Sequence, residues 1–330
     1  MLVTSDINEN FSSISNNNRD SNGYIDLSLV EINYNPNSRE KVGMPDREKN
    51  WVKFGDGRVF LLKEENILDE ERNATVYAEL IVEELAKQAG IEAAHYDLYK
   101  KDGKYGVLSE YCLKENEEMY SLESLIGMNT ESEFDFEKTD VIALQENMME
   151  FLKNEGLTKQ QIRKMLINFQ KRMVFDLFIA HSDRHTENIS FRVKNDGEQV
   201  AIDFAPIYDN ENSLLLDMDE STLDALAGNM RAMREATDII APKIANVLDE
   251  QRTNSQIWRD TLEDYCEVDE VYDYMMFLYD TLNIDSALQS VEDRIEAKIP
   301  ESVKLVAKYS FEYRRKNIDR VMCMDDINLT

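Results

Sequence analysis

Asp183, Asn188 and Asp209 are of the types, and in the order, that phosphoryl transfer requires. A phosphoryl group in flight carries negative charge spread over its oxygens and asks for little covalent chemistry, so catalysis is a matter of positioning and neutralising. One Asp accepts the proton of the attacking hydroxyl, an Asn shortly after it holds a metal ion, and a second Asp beyond the next hairpin holds the bridging metal. The run His181-Ser182-Asp183-Arg184-His185-Thr186-Glu187-Asn188, then strand-like residues and Ala205-Pro206-Ile207-Tyr208-Asp209, has that spacing. The short loop from Asp183 to Asn188 lets both side chains enter one cleft while the backbone turns. A plainer alternative is a polar turn, with Asp183 capping a helix and Asn188 holding a bend. Against it, the loop lies between two apolar runs, Met173 to Ala180 and Ile189 to Phe191, and charged loops held between buried elements are where sites sit.

These residues need elements to position them. Residues Trp51 to Lys63 read as a hairpin around Gly55-Asp56-Gly57, and period-two alternation puts Val59, Leu61 and Lys63 on one face. A strand lysine on such a face is where the α- and β-phosphates of ATP are pinned. The helical stretch Ala74 to Ala89 follows and offers Glu79 as the partner of Lys63, with Glu83 one turn on as the rival; Gly90 ends it. Ala94 to Lys100 and Tyr105 to Cys112 form a second strand pair, and Glu110-Tyr111-Cys112 leads into an acidic connection whose backbone would read adenine. The stretch from Asn35 to Lys49 is a basic loop that could cover phosphates or be plain surface.

From about Ser121 the pattern turns helical, with Ile162, Leu166, Phe169, Met173 and Leu177 at helical spacing and Thr158 as a cap. That helix leads into His181. Phe191 to Val193 and Val200 to Asp203 flank a hairpin turn, and Asp203 competes with Asp209 as metal ligand; Asp209 is preferred because it follows the strand, at the mouth. Residues 220 to 330 are helical with acidic faces, and Pro242 and Pro300 break or start helices.

Composition bounds the alternatives. A chain of 330 residues, 42% hydrophobic and 31% charged, can bury a sizeable core. No run approaches a membrane-spanning length and the start lacks the basic and apolar regions of a signal peptide, so a cytoplasmic protein is expected. Cys112, Cys266 and Cys323 are far apart and only three histidines accompany them, which argues against zinc and disulfides. A formal charge of −29, spread along the chain, argues against direct nucleic-acid binding and against an anionic membrane surface. It would suit a basic partner protein.

The motifs resemble those of the HipA-like serine/threonine kinase family. Asp183-Arg184-His185-Thr186-Glu187-Asn188 is similar to its Asp-x-His-x-x-Asn catalytic motif, and Ala205-Pro206-Ile207-Tyr208-Asp209 to its Pro-x-Tyr-Asp metal motif. Asp46 to Trp51, Phe60 to Lys63 and Leu85 to Ile91 extend the similarity over roughly 46 to 215. Residues 1–30 are rich in Asn, Ser and Asp and are expected to form a flexible arm that ends in a short strand at Ile25 to Val30. The resemblance implies an α+β, bilobal protein-kinase-like fold, a small β-rich N-lobe with one key helix over 31–115 and a helical C-lobe over 116–330. It implies ATP with Mg²⁺ as cofactors and a protein Ser or Thr as substrate. Asp183 would be the base, Asn188 and Asp209 the metal ligands, and Lys63 the phosphate anchor. Glu79, Glu110, Tyr111, Cys112 and His185 would line the nucleotide, His185 shaping the loop rather than moving protons. Too few residues precede the first hairpin for the extra N-terminal subdomain of the longer toxin members, so the chain is more similar to the short, single-kinase ones. A lipid or small-molecule kinase shares the Asp-Arg-His-x-x-Asn loop, and a catalytically silent nucleotide-binding module is the alternative from another class.

Overall fold

The computed structural model describes residues 19–27, 32–34, 50–54, 58–64, 74–113, 117–129, 139–195, 200–240, 242–245 and 254–328. The loop expected at 35–49 and the turn at Gly55-Asp56-Gly57 lie outside the described residues. In chain order the first part contains β1 (Ile25–Asp26), β2 (Ile32–Tyr34), β3 (Asn50–Phe54), β4 (Val59–Glu64), α1 (Thr75–Ala89), β5 (Tyr96–Lys101) and β6 (Lys104–Glu110). The strands form one sheet in the order β1-β5-β6-β4-β3-β2. All neighbours are antiparallel except β1 and β5. The hairpin expected around Lys63 is β3–β4, with Trp51 opposite Leu61, and β4 then pairs with β6 so that Lys63 faces Val107. α1 is buried along almost its whole length and ends at Gly90, whose φ of 68° is the left-handed turn that glycine adopts without steric cost.

The short strand expected at Ile25 to Val30 is seen as β1 over Ile25–Asp26, where Tyr24, Ile25 and Leu27 are buried and Ile25 pairs with Tyr99 on the sheet edge. Arg19 clamps Asp97 with two hydrogen bonds of 2.8 and 2.7 Å. Three apolar anchors and one sheltered bidentate ion pair outweigh the average composition of the segment. The remainder of 1–30 lies outside the described residues.

The second part runs β7 (Glu117–Ser121), α2 (Leu122–Asn129), β8 (Thr139–Asp140), α3 (Val141–Asn154), α4 (Lys159–Phe178), β9 (Ser190–Asn195), β10 (Val200–Phe204), α5 (Glu220–Ala227), α6 (Met230–Ile239), β11 (Ile244–Ala245), α7 (Asn254–Cys266), α8 (Asp269–Thr281), α9 (Ile284–Ile295) and α10 (Glu301–Asn328). β10-β9-β7 form a small sheet, and β11 pairs in parallel with β8. Thr158 caps α4 through a reciprocal pair with Gln161, and the stripe of Ile162, Phe169, Met173 and Leu177 turns inward, as its spacing predicts. α10 starts directly after Pro300, whose carbonyl accepts from Lys304 N. Among the described residues, no helix is long and apolar enough to cross a membrane.

The chain is thus an α+β structure with a sheet-rich part and a helical part, and the late helices return to grip α1. Glu83 accepts from Arg294 of α9 at 2.8 Å and from the Tyr96 amide at 3.1 Å, and lies 2.8 Å from His95 Nδ1. Gln88 and Asn283 exchange two hydrogen bonds, and Tyr274 of α8 donates to the Ala89 carbonyl. Burial works to raise the pKa of Glu83, but the His95 hydrogen bond and the charges of Arg294, His95 and Lys87 overcome it and hold the carboxyl well below its usual range.

Two outcomes follow from this packing. Because Glu83 is lowered in the fold, its contribution is fully present above its unfolded pKa, near 4.5, and disappears as pH falls below it. In urea titrations, the stability gap between wild type and Glu83→Gln should therefore hold from pH 6 to about pH 5 and narrow from there to pH 3; a constant gap throughout would show that the charge does not matter. Gly106 lies across from Lys63 and Glu64, and a Cβ there would run into the Lys63 backbone carbonyl. Gly106→Ala should cost about 1–3 kcal/mol by overpacking and displace β4 at Lys63, read as a lower melting temperature.

Candidate active site

α4 delivers the chain to Ala180, whose φ of 51° breaks the helix and turns the backbone into the loop that starts at His181. His181 is buried. Its Nδ1 accepts from the Asp183 amide at 3.0 Å, so the proton sits on Nε2, which donates to the Asp209 carbonyl at 3.1 Å. Burial and the nearby Arg184 charge hold its pKa well below the ordinary histidine value, so the ring stays neutral and keeps this donor and acceptor arrangement. One imidazole thus spans Asp183 and Asp209.

Arg184 is turned inward. It forms a bidentate pair with Asp176 of α4 at 2.9 and 3.0 Å and donates to the Tyr208 carbonyl and to Asn210 Oδ1, both at 2.8 Å. Burial alone would lower its pKa; the Asp176 charge and hydrogen bond raise it instead. Asp183 points the other way and keeps 35% of its side chain exposed, enough for a substrate to reach it. Around its carboxylate stand Lys243 in an ion pair, Asn212 Nδ2 at 3.4 Å and His185 Nε2 at 3.9 Å. His185 Nδ1 accepts from the Glu187 amide at 3.3 Å, closing the turn that carries Asn188. Asn188 is buried and its amide group donates to the Asp183 carbonyl at 3.1 Å.

The arm that carries Asp209 is strapped on both sides. Ala205 N donates to Ser190 O, while Ile207 exchanges backbone hydrogen bonds with Glu92 and Ala94 at 2.8 Å each. Tyr208 donates to the Glu187 carbonyl at 2.6 Å and meets Ser190 Oγ at 2.7 Å, and burial pushes its pKa up to about 12. Asp209 itself has a φ of 59°, a left-handed backbone that Asp tolerates better than most residues.

Lys63 reaches the same place from β4. Its Nζ donates to Glu79 Oε1 at 2.8 Å and pairs with Asp209, while Glu79 Oε2 accepts from the Asn210 amide at 2.8 Å. Burial works against the Lys63 charge, yet Glu79 and Asp209 together raise its pKa well above the usual value, and Lys63 in return lowers that of Asp209 against its own burial. Tyr96 accepts from the Asp209 amide at 3.1 Å, with Lys63 6.0 Å above its ring. Between the two candidate partners, Glu79 therefore meets Lys63 and Glu83 goes to Arg294 and His95. Asp203 bonds the amide that follows it and sits opposite Arg192 on the hairpin, away from this cluster.

Oxygens of Glu79, Asp209 and Glu211 all lie within 4.8 Å of one another. This hard, anionic donor set suits Mg²⁺ or a similar divalent cation. The structure thus brings together Lys63, Glu79 and Asp209, with Asp183, His185 and Asn188 joined to them through His181 and Arg184. Glu110, Tyr111 and Cys112 lie at the end of β6. There the Glu110 amide donates to His95 O and that of Tyr111 to Val59 O, both at 2.9 Å; Tyr111 is exposed and burial raises the Cys112 thiol. Sequence reasoning did not single out His181, Arg184, Asp176, Asn210, Glu211, Asn212, Tyr96 or Lys243. His181 and Arg184 stand inside the motif and could have been singled out, whereas Asp176 is masked in a helical stripe and Lys243 is distant in sequence.

A sheet with one helix whose glutamate holds a strand lysine, set beside a helical part carrying an Asp/Asn loop and a second Asp, defines a protein-kinase-like architecture. The profile of the HipA-like C-terminal domain matches residues 38–268, and the chain belongs to that family. Among solved structures it is similar to the proinflammatory kinase CtkA of Helicobacter pylori, with a TM-score of 0.71 at 16% identity over 93% of this chain and 99% of that one. HipA of Shewanella oneidensis MR-1, in a toxin–antitoxin complex with HipB and operator DNA, gives 0.48 at 14% over 83% and 63%. A Golgi casein kinase gives 0.40 at 11% over 86% and 70%. No curated sequence matches the chain. At 16% identity the likeness to CtkA is one of fold.

Removing the buried cation tests the frame of the site. Arg184→Met should destabilise the chain by about 3–5 kcal/mol, because Asp176 is left as an uncompensated buried charge, and the paired change Arg184→Met with Asp176→Leu should recover part of that loss in thermal unfolding.

Proposed function

We propose that the chain is an ATP- and Mg²⁺-dependent kinase that phosphorylates Ser or Thr of a protein. The observation that carries this reading is that one side chain, His181, ties the backbone of Asp183 to that of Asp209 while both carboxylates, each paired with a lysine, stay about a third exposed. Asp183 is the base: it accepts the proton of the attacking hydroxyl, which then bonds to the phosphorus as the bond to the departing nucleotide breaks. Lys63, oriented by Glu79, holds the phosphates. Asn188 and Asp209 are the metal ligands, and Glu211 lies close enough to Asp209 to complete the set. Bound Mg²⁺·ATP supplies the phosphoryl group and neutralises charge on its oxygens. The end of β6, with Glu110, Tyr111 and Cys112, lies against the adenine, and His185 shapes the base loop.

In this reading the nucleotide sits between a lobe over 31–115 and a lobe over 116–330. The protein acts in the cytoplasm on a protein substrate, with a basic partner matched to the acidic surface, and binds neither nucleic acid nor membrane. Membership of the HipA-like family and the fold shared with CtkA support a kinase.

Intact mass after incubation with ATP and Mg²⁺, with and without a mixture of cell proteins, tests it. Wild type should add phosphate to itself or to a protein of the mixture, and Asp183→Asn should lower transfer by about two orders of magnitude or more, the usual reach of a general base, while nucleotide affinity holds. Asp209→Asn should instead weaken Mg²⁺-dependent nucleotide binding. Equal transfer by wild type and Asp183→Asn would overturn the assignment; binding without transfer would point to a non-protein acceptor or a silent binding module.

A further inference from the structure

Lys243 stands outside both the Asp183–Asn188 loop and the Ala205–Asp209 arm, yet its ammonium is ion-paired with Oδ1 of Asp183. Its backbone is well anchored. Pro242 precedes it, Ile244 after it is buried, and β11 pairs with β8, where Asp140 caps α3 through the amides of Ile142 and Ala143. The side chain itself is not sealed in: Lys243 is 40% and Asp183 35% exposed. An ion pair this open to water contributes little to stability, so holding the fold together does not account for it.

The charge layout of the site gives it a role. Lys63 is engaged by Glu79 and Asp209, on the metal side. Arg184, although next to Asp183 in sequence, is buried against Asp176. Lys243 therefore brings positive charge to the acceptor side of the site, where Asn212 and His185 provide the other polar groups near Asp183. A base that takes the acceptor proton lies within a few ångströms of the phosphorus, since reacting atoms must approach to about 3–3.5 Å. A cation touching that base is within reach of the oxygens of the terminal phosphoryl group.

Building on the kinase reading, we infer that Lys243 is a further catalytic residue, one that binds the phosphoryl group being transferred. As Mg²⁺·ATP and the acceptor enter, the Lys243 ammonium passes from Asp183 to a non-bridging oxygen of the terminal phosphate, and the acceptor hydroxyl takes its place on the carboxylate. The hydroxyl proton goes to Asp183, the new O–P bond forms, and the bridging bond breaks with its electron pair leaving on ADP. Lys243 keeps its proton throughout and offsets charge on the transferring oxygens.

The test compares wild type, Lys243→Met and Lys243→Arg in the full chain by two readouts: affinity for Mg²⁺·ATP against Mg²⁺·ADP, and phosphate transfer by intact mass. Wild type should bind ATP at least tenfold more tightly than ADP. Lys243→Met should lose that preference with ADP affinity within twofold of wild type, and should transfer at least a hundredfold more slowly; Lys243→Arg should fall between the two. An unchanged ATP preference in Lys243→Met, or none in wild type, overturns the inference, as does faster transfer by Lys243→Met, which would make the ion pair an inhibitory lock. If wild type transfers no phosphate but Lys243→Met still abolishes the ATP preference, the kinase reading fails while the contact to the terminal phosphate stands.

Discussion

Asn210 is the point on which the geometry of the site depends. It is fully buried, its amide donates to Glu79 from the sheet-rich part, and its side-chain oxygen accepts from Arg184 of the base loop. Asp209, immediately before it, sits in a left-handed conformation that costs a non-glycine residue about 1–2 kcal/mol. Hydrogen bonds to charged groups contribute about 1.5–3 kcal/mol each, so the two on Asn210, with His181 and Tyr96 on the backbone of Asp209, are enough to hold that conformation. The position of the Asp209 carboxylate is thereby set by Glu79 and Arg184, and Glu79 is in turn set by α1. This is why the packing of α9 on α1, far from the chemistry, bears on Lys63: Arg294 and Asn283 fix the helix that aims Glu79.

Arg184 shows the same economy. Of its guanidinium hydrogens, four go to Asp176, Tyr208 and Asn210. No fork of donors remains for an incoming anion, so the loop from Asp183 to Asn188 takes its order from α4 and from the arm that carries Asp209. A phosphate elsewhere in the chain is not needed to hold this arginine in place.

The fold and the reactive residues were legible to different degrees, for physical reasons. Period-two alternation is strongest where a strand has one buried face, and it placed Lys63 on β4; the helical stripe of α4 was equally plain, because Phe169, Met173 and Leu177 fill one face at helical spacing. That Asp183, Asn188 and Asp209 come together could be read from spacing, because the loop and hairpin that join them are short. The choice between Glu79 and Glu83 could not, since both lie on the inner face of α1 and only Arg294 and His95, from other elements, draw Glu83 away. Asp176 and Lys243 were hidden for a related reason: a single charged residue in a helical stripe or after a proline carries no pattern, and its role arises from a partner supplied by the fold. The short strand starting at Ile25 could be expected within a polar stretch, because three apolar side chains among polar neighbours suffice to dock a short edge strand.

The charge of the chain looks at odds with a site for a polyanion. At −29 the protein as a whole repels nucleotide, and the same acidity was the argument against nucleic acid. Screening resolves this. At physiological salt the Debye length is about 8 Å, so acidic groups scattered over distant surfaces are muted at the cleft, while Lys63 and Lys243 act at contact distance and in partial shelter from water. Nucleic-acid binding lacks this escape, because it draws on basic groups spread along an extended phosphate backbone. An acidic exterior is therefore compatible with a cleft in which Lys63 and Lys243 stand beside the carboxylates of Glu79, Asp209 and Asp183.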